Sequence, residues 1–156
     1  MAMFLFSCSS QDRLTKIKYC PSKESSKFYL ELASQYRIIN ISSIEEKERR
    51  FIYSDSSFVY ISSFFISPNY YNIKTLGDSI YNYRFQNKSL LKKLNTLSLN
   101  HQKLLPDTFE LSGISKNGLF WKDIYIGSVS IGYRDVLKKQ KVEFDNFLRS
   151  LRIKYR

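Results

Sequence analysis

Histidine is almost missing from this sequence. His101 is the only one in 156 residues, and it lies in the polar stretch Leu99–Lys103 ahead of Pro106. One histidine excludes metal sites built from several imidazoles and argues against triads and dyads that use an imidazole base. We therefore interpret His101 as a solvated loop residue.

Cysteine is also scarce, because Cys8 and Cys20 are the only two. They form no C-x-x-C pair and no metal-ligand spacing, so we predict no metal and no cofactor. In an oxidising compartment these thiols could close a short disulfide loop. A lipid on Cys8 would prevent that bond, and Cys20 would then be an odd thiol in a tether.

Two further signals are missing. The five glycines never form a G-x-G-x-x-G or G-x-x-x-x-G-K-[ST] loop, which argues against nucleotide enzymes. No apolar run reaches the roughly 18 residues that a membrane-spanning helix requires. A lipid would therefore be the only membrane anchor that the sequence predicts.

Basic residues, by contrast, are abundant: 25 Lys and Arg against 14 Asp and Glu give a net charge of +11. Such a balance is typical of proteins that meet nucleic acid or anionic lipid headgroups. A bias toward Lys, Asn, Ile, Tyr and Phe is also what an AT-rich genome produces without selection for binding. The basic residues are dispersed in small groups, and no run reaches the length of a basic arm.

The first residues have features of a lipoprotein targeting signal. Phe4–Phe6 is apolar, Ser7 is small and Cys8 follows at once, which is the order that a lipoprotein signal peptidase requires. A complete signal also has a basic start and a longer apolar stretch, so we expect the numbered start to be trimmed or displaced from the native one. In the alternative interpretation, Phe4–Phe6 is an ordinary strand and Cys8 a buried thiol.

The segment Leu5-Phe6-Ser7-Cys8-Ser9-Ser10, followed by a polar linker, resembles the start of Bacteroidota-type lipoproteins. The resemblance implies an outer-membrane lipoprotein with lipid on Cys8. In that group acidic residues after the cysteine accompany surface export, and the single Asp12 departs from this pattern. We therefore expect the protein to face the periplasm, with residues 1–7 a signal remnant, 8–27 a flexible lipid tether and 28–156 a single domain.

The hydrophobic pattern predicts an α+β domain. Short β-type segments predict an antiparallel sheet of about six or seven strands, with helices packed on it as in an α/β/α sandwich. Turns between strands are predicted at Ser54–Ser57, Asn117-Gly118 and Gly127-Ser128. The predicted helices cover residues 70–85, 88–100 and 136–153, from apolar residues at helical spacing. The order of these elements loosely resembles Mog1/PsbP-like domains.

The sequence offers few candidates for catalytic or binding residues. Glycosidases use paired carboxylates, yet each aspartate that stands out has an ordinary explanation as a turn or surface residue; they are Asp55, Asp78, Asp107 and Asp123. Aromatic and charged residues alternate around Trp121 and Tyr125, which we predict as possible partner contacts. In the alternative interpretation, Trp121 is a core or groove anchor.

These observations favour a non-enzymatic binding or accessory module held in the envelope by lipid. We expect an envelope protein as its partner, contact with a membrane through lipid on Cys8, and no nucleic acid. An immunity protein against an interbacterial toxin is the first alternative, and an envelope hydrolase with paired carboxylates is the second.

Overall fold

The computed structural model describes residues 14–21, 26–44, 47–63, 69, 79–85 and 108–154. The described part is rich in β-structure. Its strands are β1 (Leu14–Tyr19), β2 (Lys27–Ala33), β3 (Arg37–Ser42), β4 (Lys47–Ile52), β5 (Phe58–Ser62), β6 (Ser79–Phe85), β7 (Thr108–Ile114), β8 (Phe120–Ile126), β9 (Val129–Val136) and β10 (Arg152–Lys154). A 3-10 helix, Lys138–Gln140, leads into the helix α1 (Lys141–Arg149).

Seven strands form the large sheet, in the order β3-β4-β5-β9-β8-β7-β6. Every neighbouring pair is antiparallel, so two meanders meet where β5 pairs with β9. All five residues of β5 are buried, on both faces of the strand. The centre of the large sheet is therefore covered on both sides.

The remaining three strands form the small sheet, in the order β1-β2-β10. β2 lies in the middle, paired with β1 from the N-terminal side of the chain and with β10 from its C-terminal side. Along β2, buried Phe28, Leu30 and Leu32 alternate with partly exposed residues. The small sheet thus has one apolar inner face and one outer face.

One hydrophobic core joins both sheets to α1. It combines the inner face of β2 with alternate residues of β5 and β9 and with Phe144, Phe147 and Leu148 of α1. Tyr53, just after β4, packs its ring edge-on against Phe144 at 5.4 Å between ring centroids. The small sheet and α1 therefore pack on the same face of the large sheet.

The predicted antiparallel sheet is confirmed, but the described part of the chain is β-rich with one short helix, α1, and does not show the helix layers of an α/β/α sandwich. Residues 79–85 of the predicted helix 70–85 form β6, because Tyr81, Tyr83 and Phe85 recur at the two-residue period of a strand. The C-terminal helix is shorter than predicted, since Val136 ends β9 and Arg152-Ile153-Lys154 alternates as β10. The predicted helix 88–100 lies outside the described residues.

The stretch predicted as a flexible tether also contains a strand. Residues Leu14–Tyr19 pair in register with β2 along their whole length. Ile17 and Tyr19 pack on the core while Lys16 and Lys18 are exposed, which is a strand alternation that polar composition concealed. The interpretation of 14–19 as flexible is therefore corrected, while the division of the chain into anchor, tether and domain stays a prediction.

Candidate functional sites

The outer face of the small sheet is strongly basic. Residues directly opposite each other in an antiparallel pair share a face, and the register pairs Lys16 with Glu31, Lys18 and Arg152 with Tyr29, and Lys154 with Lys27. We call this surface the basic face; it consists of Lys16, Lys18, Lys27, Tyr29, Glu31, Arg152 and Lys154. Five cations and one carboxylate give it a net charge of +4 (5 − 1).

The charge on the basic face is not neutralised within the described chain. Among the described residues, none of its five cations forms an ion pair. A shallow depression of about 310 Å³ lies over Tyr29, between Lys16 on one side and Arg152 and Lys154 on the other. The face is therefore available to an anionic ligand.

Ser150 fixes one border of this depression. The backbone N–H of Glu31 donates a hydrogen bond to Ser150 Oγ at 2.8 Å, and Ser150 Oγ donates to the carbonyl of Phe147 at 2.6 Å. These bonds tie the end of α1 to β2. The position of Arg152 relative to Tyr29 is thus set by the packing of the helix.

A second basic site is an open groove of about 570 Å³ between the end of the small sheet and strands β3 and β4. Lys18, Lys27, Lys47 and Arg49 line it, together with Tyr19 and Cys20. We call it the intersheet groove. Its one acidic lining residue, Glu48, is 3% exposed and accepts a hydrogen bond from Arg50 at 2.5 Å, so the surface that remains is cationic.

Arg49 is held in place at this groove. Its guanidinium lies 4.4 Å from the centroid of the Tyr19 ring, and its Nε donates to Asn40 Oδ1 at 2.8 Å. Burial raises the pKa of Tyr19, and the Arg49 charge opposes that rise without cancelling it. Tyr19 therefore stays neutral at physiological pH and presents a ring face to the cation.

Asp123 is the centre of a buried polar network on the other face of the large sheet. The residue is fully buried, and its Oδ1 accepts hydrogen bonds from Tyr60 OH and from Asn69 Nδ2. Its Oδ2 accepts a third from Tyr125 OH at 3.2 Å. A carboxylate with three donors is stabilised where it lies.

Asn69 connects this carboxylate to the neighbouring strand. Its Nδ2 also donates to the carbonyl of Tyr133 at 3.1 Å, and its Oδ1 accepts from Arg134 Nη1 at 3.1 Å. The network thereby joins β5, β8 and β9 through four side chains that are nearly or fully buried: Tyr60, Asn69, Asp123 and Arg134. We interpret it as the polar part of the core.

A separate cluster of charged side chains holds α1 against the large sheet. Lys122 Nζ forms an ion pair with Glu110 and lies 3.9 Å from Asp145 Oδ1. Asp145 also receives Lys141 Nζ at 2.7 Å and the hydroxyl of Tyr133 at 3.0 Å. Two carboxylates and two ammonium groups balance each other, so the cluster positions α1 and leaves little charge for a ligand.

The two predicted partner contacts differ in exposure. Trp121 is fully buried, and its indole N–H has no hydrogen-bond partner among the described residues. Tyr125 is partly exposed and lies beside Asp123. The burial of Trp121 agrees with the alternative in which it is a core residue, and partner contact through this pair stays a prediction.

The other sequence candidates are separated or outside the described residues. Asp55 lies in the turn between β4 and β5, where its carboxylate accepts hydrogen bonds from Ser57 and Gln140. Cys8, Asp78, His101 and Asp107 are outside the described residues. Within the described part of the chain, no group of three or more His, Cys, Asp or Glu side chains is placed to bind a metal.

The basic face is the site that reasoning from sequence missed. Its cations come from three strands at opposite ends of the chain, which the sequence shows only as dispersed small groups. A signal was present, because Lys16-Ile17-Lys18-Tyr19 and Arg152-Ile153-Lys154 both alternate charged and apolar residues. Only strand pairing brings these two segments together.

Comparisons with protein-family models, curated proteins and solved structures find no significant match to this chain. In the described ranges, no helix has the length and apolar character to cross a bilayer.

Proposed function

We propose that this chain is a lipid-anchored protein of the bacterial cell envelope, whose folded body binds an envelope partner without catalysing a reaction. The observation that carries the proposal is the sequence Leu5-Phe6-Ser7-Cys8, which has the apolar, small and thiol positions of a lipoprotein processing site. In this proposal the lipid lies in the outer membrane and the body faces the periplasm.

The intersheet groove supports a binding role for the body. Its cations converge from β1, β2 and β4, and the Tyr19 stack and the Asn40 hydrogen bond preorganise Arg49. Preorganised charge lowers the entropy lost on binding, and cationic surfaces attract acidic partners over long range. We therefore propose an acidic segment of an envelope protein as the occupant of this groove.

Lipid attachment is tested with the two cysteines as matched positions. The complete gene is expressed in its native host, and the membrane-derived protein is analysed by mass spectrometry. We expect a diacylglyceryl group on Cys8, loss of the Cys8→Ser protein from membranes washed at high salt, and retention of the Cys20→Ser protein on the same membranes. An unmodified Cys8 in a wild-type protein that does not sediment with membranes would contradict the proposal.

The role of the groove is tested in cells that carry the anchored protein. Crosslinking is compared between wild type and a Lys47→Gln/Arg49→Gln variant, whose two residues line the groove and lie outside the basic face. A Lys116→Gln/Lys138→Gln variant of equal charge is the control. We expect the groove variant alone to lose its crosslinked partner. Sensitivity of a deletion strain to toxins from neighbouring cells, without any envelope partner, would favour the immunity function instead.

A further inference from the structure

We propose that the basic face of the small sheet lies on the surface of the membrane that holds the lipid anchor, where it binds the phosphate groups of anionic phospholipids. This inference rests on the proposed function, because it takes the Cys8 lipid as the origin of the anchor. It assigns a lipid surface to the basic face and an acidic protein segment to the intersheet groove. The two surfaces share Lys18 and Lys27 and differ in their other cations.

Only a short segment of chain separates the proposed lipid anchor from the basic face. Five residues separate Cys8 from Leu14, the first residue of β1. A fully extended chain spans at most about 3.6 Å per residue, so the start of β1 lies within about 22 Å of the lipidated residue. Since β1 itself contributes Lys16 and Lys18, the anchor holds the basic face close to the headgroups.

The positive charge of the basic face suits an anionic membrane surface. The basic face has a net charge of +4 (5 − 1), and its cations are unpaired with carboxylates among the described residues. Each Lys or Arg at an anionic membrane surface strengthens binding by about fivefold. The effect acts only within a Debye length of about 8 Å at physiological salt, which the short tether makes accessible.

The shape of the basic face suits a phosphate group. The depression over Tyr29 has Arg152 and Lys154 along one side and Lys16 along the other. Arg binds phosphate oxygens in a bidentate manner, and Lys supplies a point charge beside it. Leu14 is 57% exposed at the beginning of β1, where an apolar side chain can enter the headgroup region.

Lysines on edge strands have another ordinary role, which is to prevent pairing with a second sheet. That role needs cations on β1 and β10 but not on the central strand. Lys27 lies on β2, opposite Lys154, so two cations face each other across a pair of strands. Like charges directly opposite are unfavourable in a sheet unless an anion lies between them.

The test uses the full chain with Cys8→Ser, so that no lipid contributes to binding. Flotation with phosphatidylcholine vesicles is compared with flotation in vesicles that also contain phosphatidylglycerol. We expect binding only to the anionic vesicles, loss of binding at high salt, and no competition by inorganic phosphate at matched ionic strength. Strong competition by phosphate would instead indicate a site for the free ion and would overturn the proposal.

Two matched charge variants locate the surface. The face variant combines Lys16→Gln, Arg152→Gln and Lys154→Gln, and the control combines Lys116→Gln, Lys138→Gln and Lys139→Gln. All six residues are exposed, and both variants lose three positive charges, so net charge affects them equally. We expect about a hundredfold weaker vesicle binding for the face variant and a much smaller change for the control.

Equal losses in the two variants would show that net charge, and not the basic face, governs binding, and would overturn the inference. Capture of an acidic protein that depends on the face residues, without vesicle binding, would overturn it in favour of a protein partner. Absence of lipid on Cys8 in cells is a separate result, which contradicts the proposed function even where vesicle binding is intact.

Discussion

At the scale of single residues, the buried position of Asp123 requires a glycine at position 132. A Cβ added to Gly132 would lie 2.6 Å from Asp123 Oδ1 and 2.8 Å from the Tyr60 hydroxyl, and would overlap the carbonyl of Lys122. The missing side chain of Gly132 therefore makes room for the Asp123 network. The central strands are held together by this close approach.

We expect Gly132→Ala to destabilise the protein by ~1–3 kcal/mol or more, because backbone atoms cannot move away as a side chain can. Gly118→Ala is the control: its φ is +77° and no atom lies within 4 Å of the added Cβ. The control substitution costs only the free energy of holding an alanine in the left-handed conformation, about 1 kcal/mol. Urea unfolding followed by Trp121 fluorescence measures both, and equal losses would contradict the close-packing argument.

Two tyrosines donate to the same carboxylate from different environments. Tyr60 is fully buried and Tyr125 is partly exposed. We expect Tyr60→Phe to cost ~1–3 kcal/mol, since it removes a donor from a buried charge, and Tyr125→Phe to cost less than ~1 kcal/mol, since water can replace that hydroxyl. Urea midpoints of the two variants decide this, and a larger effect of Tyr125→Phe would refute the network as described.

Sequence reasoning explained Asp123 as an ordinary turn or surface residue, whereas the structure buries it completely. The donors Tyr60 and Asn69 lie 63 and 54 residues away in the chain. A polar residue at an inward position of a strand has the same sequence signature whether it is solvated or buried in a network. Only the packing of β5 against β9, and of β9 against β8, distinguishes them.

At the scale of elements, local turn chemistry was predictable and long-range pairing was not. Asn117-Gly118 and Gly127-Ser128 form the predicted turns, with positive φ at both glycines. The Ser54–Ser57 turn joins β4 to β5 as predicted. Residues 79–85 were misassigned because Ile80 and Tyr83 have helical spacing while Tyr81, Tyr83 and Phe85 have the period of a strand, and only pairing with β7 selects the strand.

The turn between β4 and β5 makes stability depend on pH. Burial raises the pKa of Asp55, but hydrogen bonds from Ser57 and Gln140 outweigh it and hold that pKa below its ordinary value of 3.8. A carboxylate with a lowered pKa in the folded state stabilises the fold above the unfolded pKa, and this stabilisation disappears as pH falls through the folded pKa. Asp55 therefore supports the turn at neutral pH and not in strong acid.

We expect Asp55→Asn to lose less than ~1 kcal/mol near neutral pH, because the site is exposed. The difference from wild type should shrink steadily below pH ~4, as the wild-type carboxyl becomes protonated. Urea unfolding of both proteins across this pH range measures the difference. Gln140→Ala should add little in the Asp55→Asn background, and a difference that grows in acid would contradict the assignment.

At the scale of the whole molecule, the two ends of the described chain lie in one sheet. β1 and β10 flank β2, and the inner face of β2 enters the same core as α1, β5 and β9. The sequence predicted an antiparallel sheet but treated residues 8–27 as a flexible tether. Without the pairing of distant segments, neither the small sheet nor its basic outer face was visible.

Because the core is continuous, we expect the two sheets to unfold together. Trp121, the only tryptophan, lies in β8 of the large sheet and reports on that sheet alone. Leu30 lies in β2 of the small sheet, is 1% exposed, and should cost ~2–5 kcal/mol when replaced by Ala. If the sheets form one cooperative unit, this loss lowers the urea midpoint seen by Trp121 fluorescence.

The control for this experiment is Ile38→Ala in β3, since Ile38 is 49% exposed and its loss should change stability by less than ~0.5 kcal/mol. Circular dichroism supplies a second probe, because it reports both sheets at once. Coincident transitions in Leu30→Ala support a single unit. An unchanged Trp121 midpoint, with an earlier partial loss of β signal, would show that the small sheet unfolds independently, so that the basic face is mounted on a separable element.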